Sequence, residues 1–327
     1  MNPSPSQTCA HCRICQESCL FLQKYGITIG DIEAHEELLY HCFLCGKCTQ
    51  SCPEGIDGRA RILQLRRKQV QENGGSVKEG GYDMLIREKQ DYLYANYRNQ
   101  TARSVLFPGC SFPGFYPKTT EHILSLLKET AGIGTVFDCC GKPVAELGLA
   151  DAEERIVERL NRRFAQGGIR EVIMLCPNCY YFLKPRLKAK TVSIYDKLKE
   201  LGLGCKIGEQ ITLFPPCPDR GSWEILRGIR PFLSEDPHLI ENVQCCGLGG
   251  CAGAKEQELA QQLVDQVQGQ GSDICTYCAS CSGNFARKGY AGAGHILLKI
   301  LRRTESPDIK RTGANRAKMK EYLYKNK

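Results

Sequence analysis

Two runs of cysteines near the start of the chain carry its clearest chemical signal. Each run has the spacing C-x2-C-x2-C-x3-C, first in CAHCRICQESC and then in CFLCGKCTQSCP. This spacing is typical of [4Fe–4S] ligands, because three closely spaced thiolates wrap one cube while the fourth reaches a second cube. The expected ligand sets are Cys9, Cys12, Cys15 and Cys52 for one cubane cluster, and Cys42, Cys45, Cys48 and Cys19 for the other.

Structural zinc and disulfides are the alternatives for so many cysteines. Zinc is usually held by two C-x2-C pairs, whereas this region has two complete runs of four. Disulfides suit small secreted chains. This chain has 327 residues and an odd number of cysteines, 21, and no charged-then-apolar signal segment precedes Cys9. We therefore expect reduced cysteines in a cytoplasmic protein that meets a membrane only through a partner.

Further along the chain, ten cysteines form two matched sets of five. Each set contains an adjacent pair followed by glycine, and then a C-x2-C motif, CPNC or CTYC. Five thiolates exceed what one zinc ion or one cubane needs, so each set predicts a larger or unusual cluster. The glycine would let the backbone turn tightly beside that cluster. The sets are Cys110, Cys139, Cys140, Cys176 and Cys179, and Cys217, Cys245, Cys246, Cys275 and Cys278.

Three cysteines, Cys205, Cys251 and Cys281, stay outside these sets. We expect them to be buried or supporting side chains rather than ligands. The simplest alternative for the ten matched cysteines, reduced side chains that only fill a core, does not explain why CCG and C-x2-C are both repeated.

The elements that must position the ten thiols alternate between short apolar strands and amphipathic helices. Strands are predicted at 105–107, 136–137 and 172–175, with helices at 121–130 and 151–166 between them. The pattern recurs with strands at 211–214 and 272–274 and helices at 223–232 and 256–267. Such alternation predicts parallel sheets covered by helices, with the cysteines at the carboxyl edge of each sheet.

The repeat, with a period of roughly one hundred residues, is too long for a solenoid and indicates tandem domains. The predicted fold is α/β. A helical, ferredoxin-like 2x[4Fe–4S] domain over 1–100 includes helices at 59–73 and 82–100. Rossmann-like cysteine-rich domains follow over 101–207 and 208–304, and a basic, solvated or partner-docking tail over 305–327. Pseudo-twofold packing of the tandem domains would bring their cysteine edges face to face.

Composition argues against several other classes of protein. The formal charge of +8 counts thiolate ligands as neutral, so it does not predict nucleic-acid binding. No apolar run approaches the ~18–20 residues of a membrane span. There is no G-x-G-x-x-G after a strand and no P-loop. The chain is therefore expected to bind no flavin or nicotinamide and to take its electrons from another subunit.

The matched sets, built around Cys139-Cys140-Gly141 and Cys245-Cys246-Gly247, resemble the CCG-domain catalytic subunit of heterodisulfide reductase. The first block resembles the small ferredoxin-type subunit of that enzyme, and the whole chain is similar to its fused, D-type subunit. The resemblance implies that each five-cysteine set binds a noncubane [4Fe–4S] cluster and that the two clusters flank a bound disulfide.

The resemblance also implies an iron–sulfur oxidoreductase subunit of anaerobic metabolism. Electrons would pass from a flavoprotein, ferredoxin or membrane cytochrome b through the two cubanes to the noncubane clusters, which reduce a small disulfide or related sulfur substrate. The alternative is an electron-relay subunit of a glycerol-3-phosphate, lactate or glycolate dehydrogenase-type complex, in which CCG domains also occur. The completeness of both cysteine sets favours disulfide reduction.

Overall fold

The N-terminal region consists of short helices joined by loops. The structure, a computed structural model, describes residues 8–101 and 103–324. The helices of this region are α1 (Ile14–Glu17), α2 (Leu20–Tyr25), α3 (Lys47–Ser51), α4 (Gly58–Glu72) and α5 (Asp83–Gln90), with 3₁₀ turns at Ile32–Ala34 and Glu36–His41. Helix α4 matches the helix predicted at 59–73 and is capped by the Asp57 carboxylate, which accepts from the Ala60 amide at 3.0 Å.

The helix predicted at 82–100 is shorter than expected, because α5 ends at Gln90. Beyond it, Asn96 forms an antiparallel bridge with Phe137 at the edge of the next domain. The tyrosines at 92, 94 and 97 therefore lie on an irregular segment rather than on a helix. This bridge to a distant segment of the chain outweighs the local helical propensity here.

A parallel sheet with covering helices follows. Its strands run in the order β2-β1-β3-β4. Its elements are β1 (Arg103–Phe107), α6 (Ser111–Phe115), α7 (Pro117–Ala131), β2 (Gly134–Thr135), α8 (Lys142–Glu146), α9 (Ala150–Gln166), β3 (Ile169–Met174), α10 (Pro177–Leu183), β4 (Lys190–Ser193) and α11 (Ile194–Glu200). The strand predicted at 136–137 lies two residues earlier, at β2.

A second parallel sheet repeats this arrangement in the order β6-β5-β7-β8. The predicted α/β architecture with two parallel sheets is thus confirmed. The elements are β5 (Thr212–Phe214), α12 (Glu224–Ile229), β6 (His238–Leu239), α13 (Gln257–Gln268), β7 (Ile274–Thr276), α14 (Ala279–Arg287), β8 (Ala293–His295) and α15 (Ile296–Ile300), with 3₁₀ turns at Cys217–Asp219, Arg230–Phe232 and Gly249–Ala254.

The C-terminal segment packs on the first sheet domain, whereas its basic composition predicts a solvated or partner-docking tail. Helix α16 (Thr312–Glu321) follows the second sheet domain, and its Met319 is buried in the core. Asn315 donates to the Gly114 carbonyl at 2.9 Å, and Asn96 donates to the Met319 carbonyl at 3.0 Å. The last three residues of the predicted tail, 325–327, lie outside the described residues.

The hydrophobic core shows how the three parts fit together. The N-terminal region shares one apolar cluster with the second sheet domain, in which Phe21 and Tyr40 belong to the same group as Ile240 and Leu263. The first sheet domain shares the other cluster with parts of the second. In the described part of the chain, no helix is both long and apolar enough to cross a membrane.

Arg66 of α4 joins all three parts and is fully buried, with 0 % of its surface exposed. Its guanidinium donates to the carbonyls of Leu39 and Cys42 in the N-terminal region at 2.7 and 3.0 Å. It also donates to Glu146 of the first sheet domain at 2.6 Å and to Gly250 of the second at 2.9 Å. Since buried carbonyls must be paired, this one side chain satisfies acceptors from three separate units.

Candidate metal centres

The eight cysteines of the N-terminal runs line two small cavities, each with four thiols. One cavity, named site A, has Cys9, Cys12, Cys15 and Cys52. The other, named site B, has Cys19, Cys42, Cys45 and Cys48. The structure therefore brings together the two groups that the spacing predicts, with the fourth cysteine of each run placed in the other cavity. Their role as cluster ligands stays a prediction.

Both runs share an uncommon backbone conformation. His11 and Arg13 have φ angles of 51° and 63°, and the corresponding residues of the second run, Leu44 and Gly46, have 50° and 78°. The His11 and Leu44 amides each donate to the sulfur of the cysteine two residues earlier at 3.4 Å. Left-handed residues in such turns aim N–H groups into anion-binding concavities, and the strain they store is typical of functional sites.

Two glycines leave room for the thiols of these sites. A Cβ atom at Gly30 would lie 2.6 Å from the Cys9 sulfur, and one at Gly58 would lie 2.6 Å from the Cys48 sulfur. Neither distance is possible without displacing the thiol or the backbone. Each site is thus shaped by a neighbouring glycine that lies outside the cysteine motif.

Sites A and B differ in their access to solvent. Cys12 of site A is exposed, whereas Cys19 and Cys48 of site B are buried. Burial, together with the nearby Cys45 and Cys42, raises the pKa of Cys19 to about 12, and burial also raises the pKa of Cys48. Buried thiols with raised pKa values lose their protons only beside a positive charge, which metal ions would supply.

The first five-cysteine set, named site C, lies at the carboxyl edge of the first sheet, as predicted for an α/β fold. Its members follow the ends of β1, β2 and β3. Neighbouring thiols interact in series, Cys110 with Cys139, Cys139 with Cys140, Cys140 with Cys179, and Cys179 with Cys176. The contacts with Cys139 and Cys179 lower the pKa of Cys140 to about 5.

The second set requires a correction at one position, Cys275. This residue lies inside β7, paired with Leu213 and Gly294, and its charged neighbours are Lys299, Asp273 and Glu209 rather than other cysteines. Cys281, which the sequence left unassigned, instead contacts both Cys246 and Cys278. We name as site D the group Cys217, Cys245, Cys246, Cys278 and Cys281.

Strand register explains the correction. Phe107 of β1 pairs with Met174, two residues before Cys176, and Phe214 of β5 pairs with Thr276, two residues before Cys278. Cys278 is therefore the counterpart of Cys176, and Cys281 that of Cys179. Both C-x2-C motifs then begin just beyond a strand and open a helix, α10 or α14. The overlapping motifs CTYC and CASC in the sequence are the signal that allowed either alignment.

The glycine after each adjacent cysteine pair has the conformation expected from the sequence. Gly141 and Gly247 have φ angles of 84° and 75°, which favour glycine. Their amides donate to the sulfurs of Cys139 and Cys245 at 3.5 and 3.4 Å. Both halves of the repeat thus present a backbone donor to the equivalent thiol.

One buried cation accompanies each of sites C and D. Although burial opposes its charge, the pKa of Lys89 is raised by the Cys110 and Cys139 thiols and by Glu88, whose carboxylate lies 2.7 Å away. At site D, Arg220 donates to the carbonyls of Pro215 and Val243 at 3.0 and 2.7 Å, but its Nη2 is buried without a hydrogen-bond partner. An unpaired guanidinium nitrogen beside thiols fits a site that holds an anionic group.

Sites C and D face a single cavity of about 590 Å³ between the two sheet domains, a volume that is typical of small-molecule sites. Cysteines of both sites line it, together with Cys45 of site B and with Cys251. The Cys251 thiol donates to the Pro143 carbonyl at 3.8 Å. Cys205 lies away from every site, and its backbone amide donates to the Ile300 carbonyl. Basic side chains at the wall are Arg59, Lys89, Lys142, Arg287, Lys288 and Arg316.

Thiol contacts link the sites to one another. Cys45 of site B contacts Cys245 of site D, and this contact lowers the pKa of Cys45 to about 6. Cys278 of site D contacts Cys176 of site C and accepts a hydrogen bond from Asn178 at 3.5 Å. Site B therefore adjoins site D, and site D adjoins site C.

The donor set suits iron–sulfur clusters. Four thiols surround each of two cavities, as the ligands of such a cluster must, because each thiolate binds a different iron. The amide donors, the glycine-lined space and the unpaired Arg220 nitrogen fit such groups.

Comparison with known proteins identifies two of the three parts. The CCG cysteine-rich domain matches twice, at residues 104–184 and 211–286, so the chain contains two copies of this domain. These matches coincide with the two sheet domains that carry sites C and D.

Curated relatives cover most of this chain at low identity. An uncharacterised iron–sulfur protein of Methanococcus maripaludis is 24% identical over 76% of the chain and 57% of its own length. One subunit of the CoM/CoB fumarate reductase of Methanothermobacter marburgensis is 28% identical over 75% of the chain and 56% of its own length. One subunit of the dihydromethanophenazine:CoB–CoM heterodisulfide reductase of Methanosarcina acetivorans is 22% identical over 78% of the chain and 74% of its own length. The chain thus spans little more than half of the first two.

Proposed function

We propose that this chain, a protein with two CCG cysteine-rich domains, is an iron–sulfur oxidoreductase subunit that reduces a small disulfide or related sulfur substrate. Sites A and B would each hold a cubane [4Fe–4S] cluster, and sites C and D would each hold a noncubane cluster. The observation that carries the proposal is the single cavity lined by thiols of both C and D. A substrate in that cavity can meet both sites at once.

The order of the sites supports delivery of electrons from the surface to the cavity. When bound, iron–sulfur clusters supply one-electron transfer between fixed positions. Cys12 places site A at the surface, where a flavoprotein, ferredoxin or cytochrome b partner can dock. Ile29 lines the cavities of both A and B. The Cys45–Cys245 and Cys278–Cys176 contacts then lead from B through D to C.

The position of the cavity between two thiol sites suits disulfide cleavage. Each disulfide takes up two electrons and two protons and yields two thiols, so two successive one-electron donations are needed. Thiols of sites C and D line the same cavity, so each sulfur of the substrate would face its own site. The basic side chains of the wall would hold the anionic charge of thiols as they form.

Wild-type protein purified without oxygen should contain about sixteen iron atoms per chain, from four clusters of four. It should oxidise a reduced viologen dye only when a small disulfide or persulfide is added, with two dye molecules oxidised per disulfide cleaved. Iron near eight atoms per chain would contradict clusters at C and D. Full iron content without turnover on a panel of small disulfides and persulfides would favour the electron-relay alternative.

Replacing Cys52 by alanine should separate two routes of electron supply. Site A lies nearest the surface, so its loss should stop turnover with a reduced protein donor, whereas a small viologen reaches the cavity directly and should still support it. Cys205→Ala is the matched control, because this thiol belongs to no site. Equal loss with both donors in Cys52→Ala, at full iron content of the other sites, would contradict this order.

A further inference from the structure

Gln244, the residue immediately before Cys245 of site D, lies against site B. Its side chain is buried, with 5 % of the residue exposed. The amide Nε2 donates to the sulfurs of Cys19 and Cys45 at 3.7 and 3.9 Å. Gln244 also lines the small cavity that those cysteines surround. A side chain from the second sheet domain thus completes the wall of a site built by the N-terminal region.

The orientation of this amide is set by its other contacts. Its Oε1 accepts from the backbone amide of Leu20 at 2.6 Å, so the nitrogen must face the two thiols. The Gln244 carbonyl accepts from Arg220 at 3.1 Å, and the same guanidinium bonds the Val243 carbonyl at 2.7 Å. The residue is therefore fixed at its side chain and at its backbone, which space filling alone would not require.

We infer that Gln244 is a positioning residue that raises the reduction potential of site B and aligns site B with site D. N–H donors stabilise the negative charge of thiolate sulfurs, and that charge increases when a cluster is reduced, so such donors favour the reduced state. The residue stands where site B meets site D, one peptide bond from Cys245. This inference rests on the proposed binding of a cluster at site B.

The test replaces Gln244 by methionine, which has a similar volume and no donor. Reduction of the iron–sulfur centres is titrated anaerobically and followed by electron paramagnetic resonance. The reduction of one of the two cubane clusters should move to a more negative potential. At the midpoint potential of the wild type, the ratio of reduced to oxidised cluster should therefore fall by about tenfold in the variant. The other cubane step should not move, because Gln244 does not line site A. Gln23→Met, at an exposed position of α2, is the control.

A second variant and a measurement on the wild-type protein distinguish the loss of the donor from misfolding of the first variant. Gln244→Glu keeps an oxygen for the Leu20 amide but faces the thiols with a carboxylate, so its shift should exceed that of the methionine variant. In the wild type, ¹⁵N in glutamine side chains should show magnetic coupling to one reduced cubane. Unchanged midpoints at full iron content, or no such coupling, would overturn the inference while leaving the proposed function intact. A wild type without a second cubane signal would overturn both.

Discussion

Replacing Cys281 by alanine is expected to abolish disulfide-dependent turnover, whereas the same change at Cys275 should leave it close to the wild-type rate. Cys281 contacts Cys246 and Cys278 at the cavity, while Cys275 is held inside β7, away from the other thiols. Since loss of a residue that only supports a ligand already costs 10–100-fold in activity or metal affinity, loss of a ligand should cost more than roughly 100-fold.

The two variants form a matched pair, because both remove a buried thiol from the same short stretch of chain. Turnover is measured with reduced viologen and a disulfide, and iron is assayed in each preparation. Cys281→Ala should lose about four iron atoms per chain and keep the signals of the two cubanes. Loss of iron in Cys275→Ala with full retention in Cys281→Ala would reverse the assignment and restore the alignment that the sequence suggested.

Replacing Arg66 by methionine should lower the free energy of unfolding by about 3–5 kcal/mol, because each buried carbonyl left without a donor costs about 1–3 kcal/mol. The change leaves the carbonyls of Leu39, Cys42, Glu146 and Gly250 without their donor. It also removes the guanidinium from above the Tyr40 ring, whose centroid lies 4.7 Å away. Because these carbonyls belong to three units, the contacts between the units should loosen first.

Thermal and chemical unfolding, with hydrogen exchange at residues 39–42 and 249–251, would measure the effect of Arg66→Met. Arg61→Met on the same helix is the control, since Arg61 pairs with the exposed Glu33 at 2.9 Å, a surface ion pair worth less than about 1 kcal/mol. Equal stability of the two variants would mean that Arg66 does not hold the three units together.

The pairing of cysteines within sites A and B could be predicted because it depends on short spacing. Three thiols within one run cannot lie far apart, and the fourth is turned toward the other run. The parallel sheets could also be predicted from the sequence, because apolar strands separated by amphipathic helices are compatible with few other arrangements. Gly141 and Gly247 have positive φ angles, which allow the tight turn expected from the CCG pattern.

Other features depended on contacts between distant residues. Gln244 has no motif, and its role follows from the packing of the second sheet domain on the N-terminal region. Arg66 is one of several arginines in a polar helix, and only the fold shows which of them is buried. The basic composition of 305–327 predicted a solvated or partner-docking tail, and the structure shows Asn315 and Met319 anchoring α16 on the first sheet domain.

The sequence by itself determined all but one of the candidate thiols, how the eight N-terminal cysteines divide between two sites, and that a repeated α/β domain carries the rest. These follow from spacing and periodicity, which are local properties of the chain. The tertiary structure decided that Cys281 rather than Cys275 faces the cavity, because strand register fixes which residue lies just beyond β7. It also decided that site B adjoins site D, because only packing between domains brings Cys45 against Cys245.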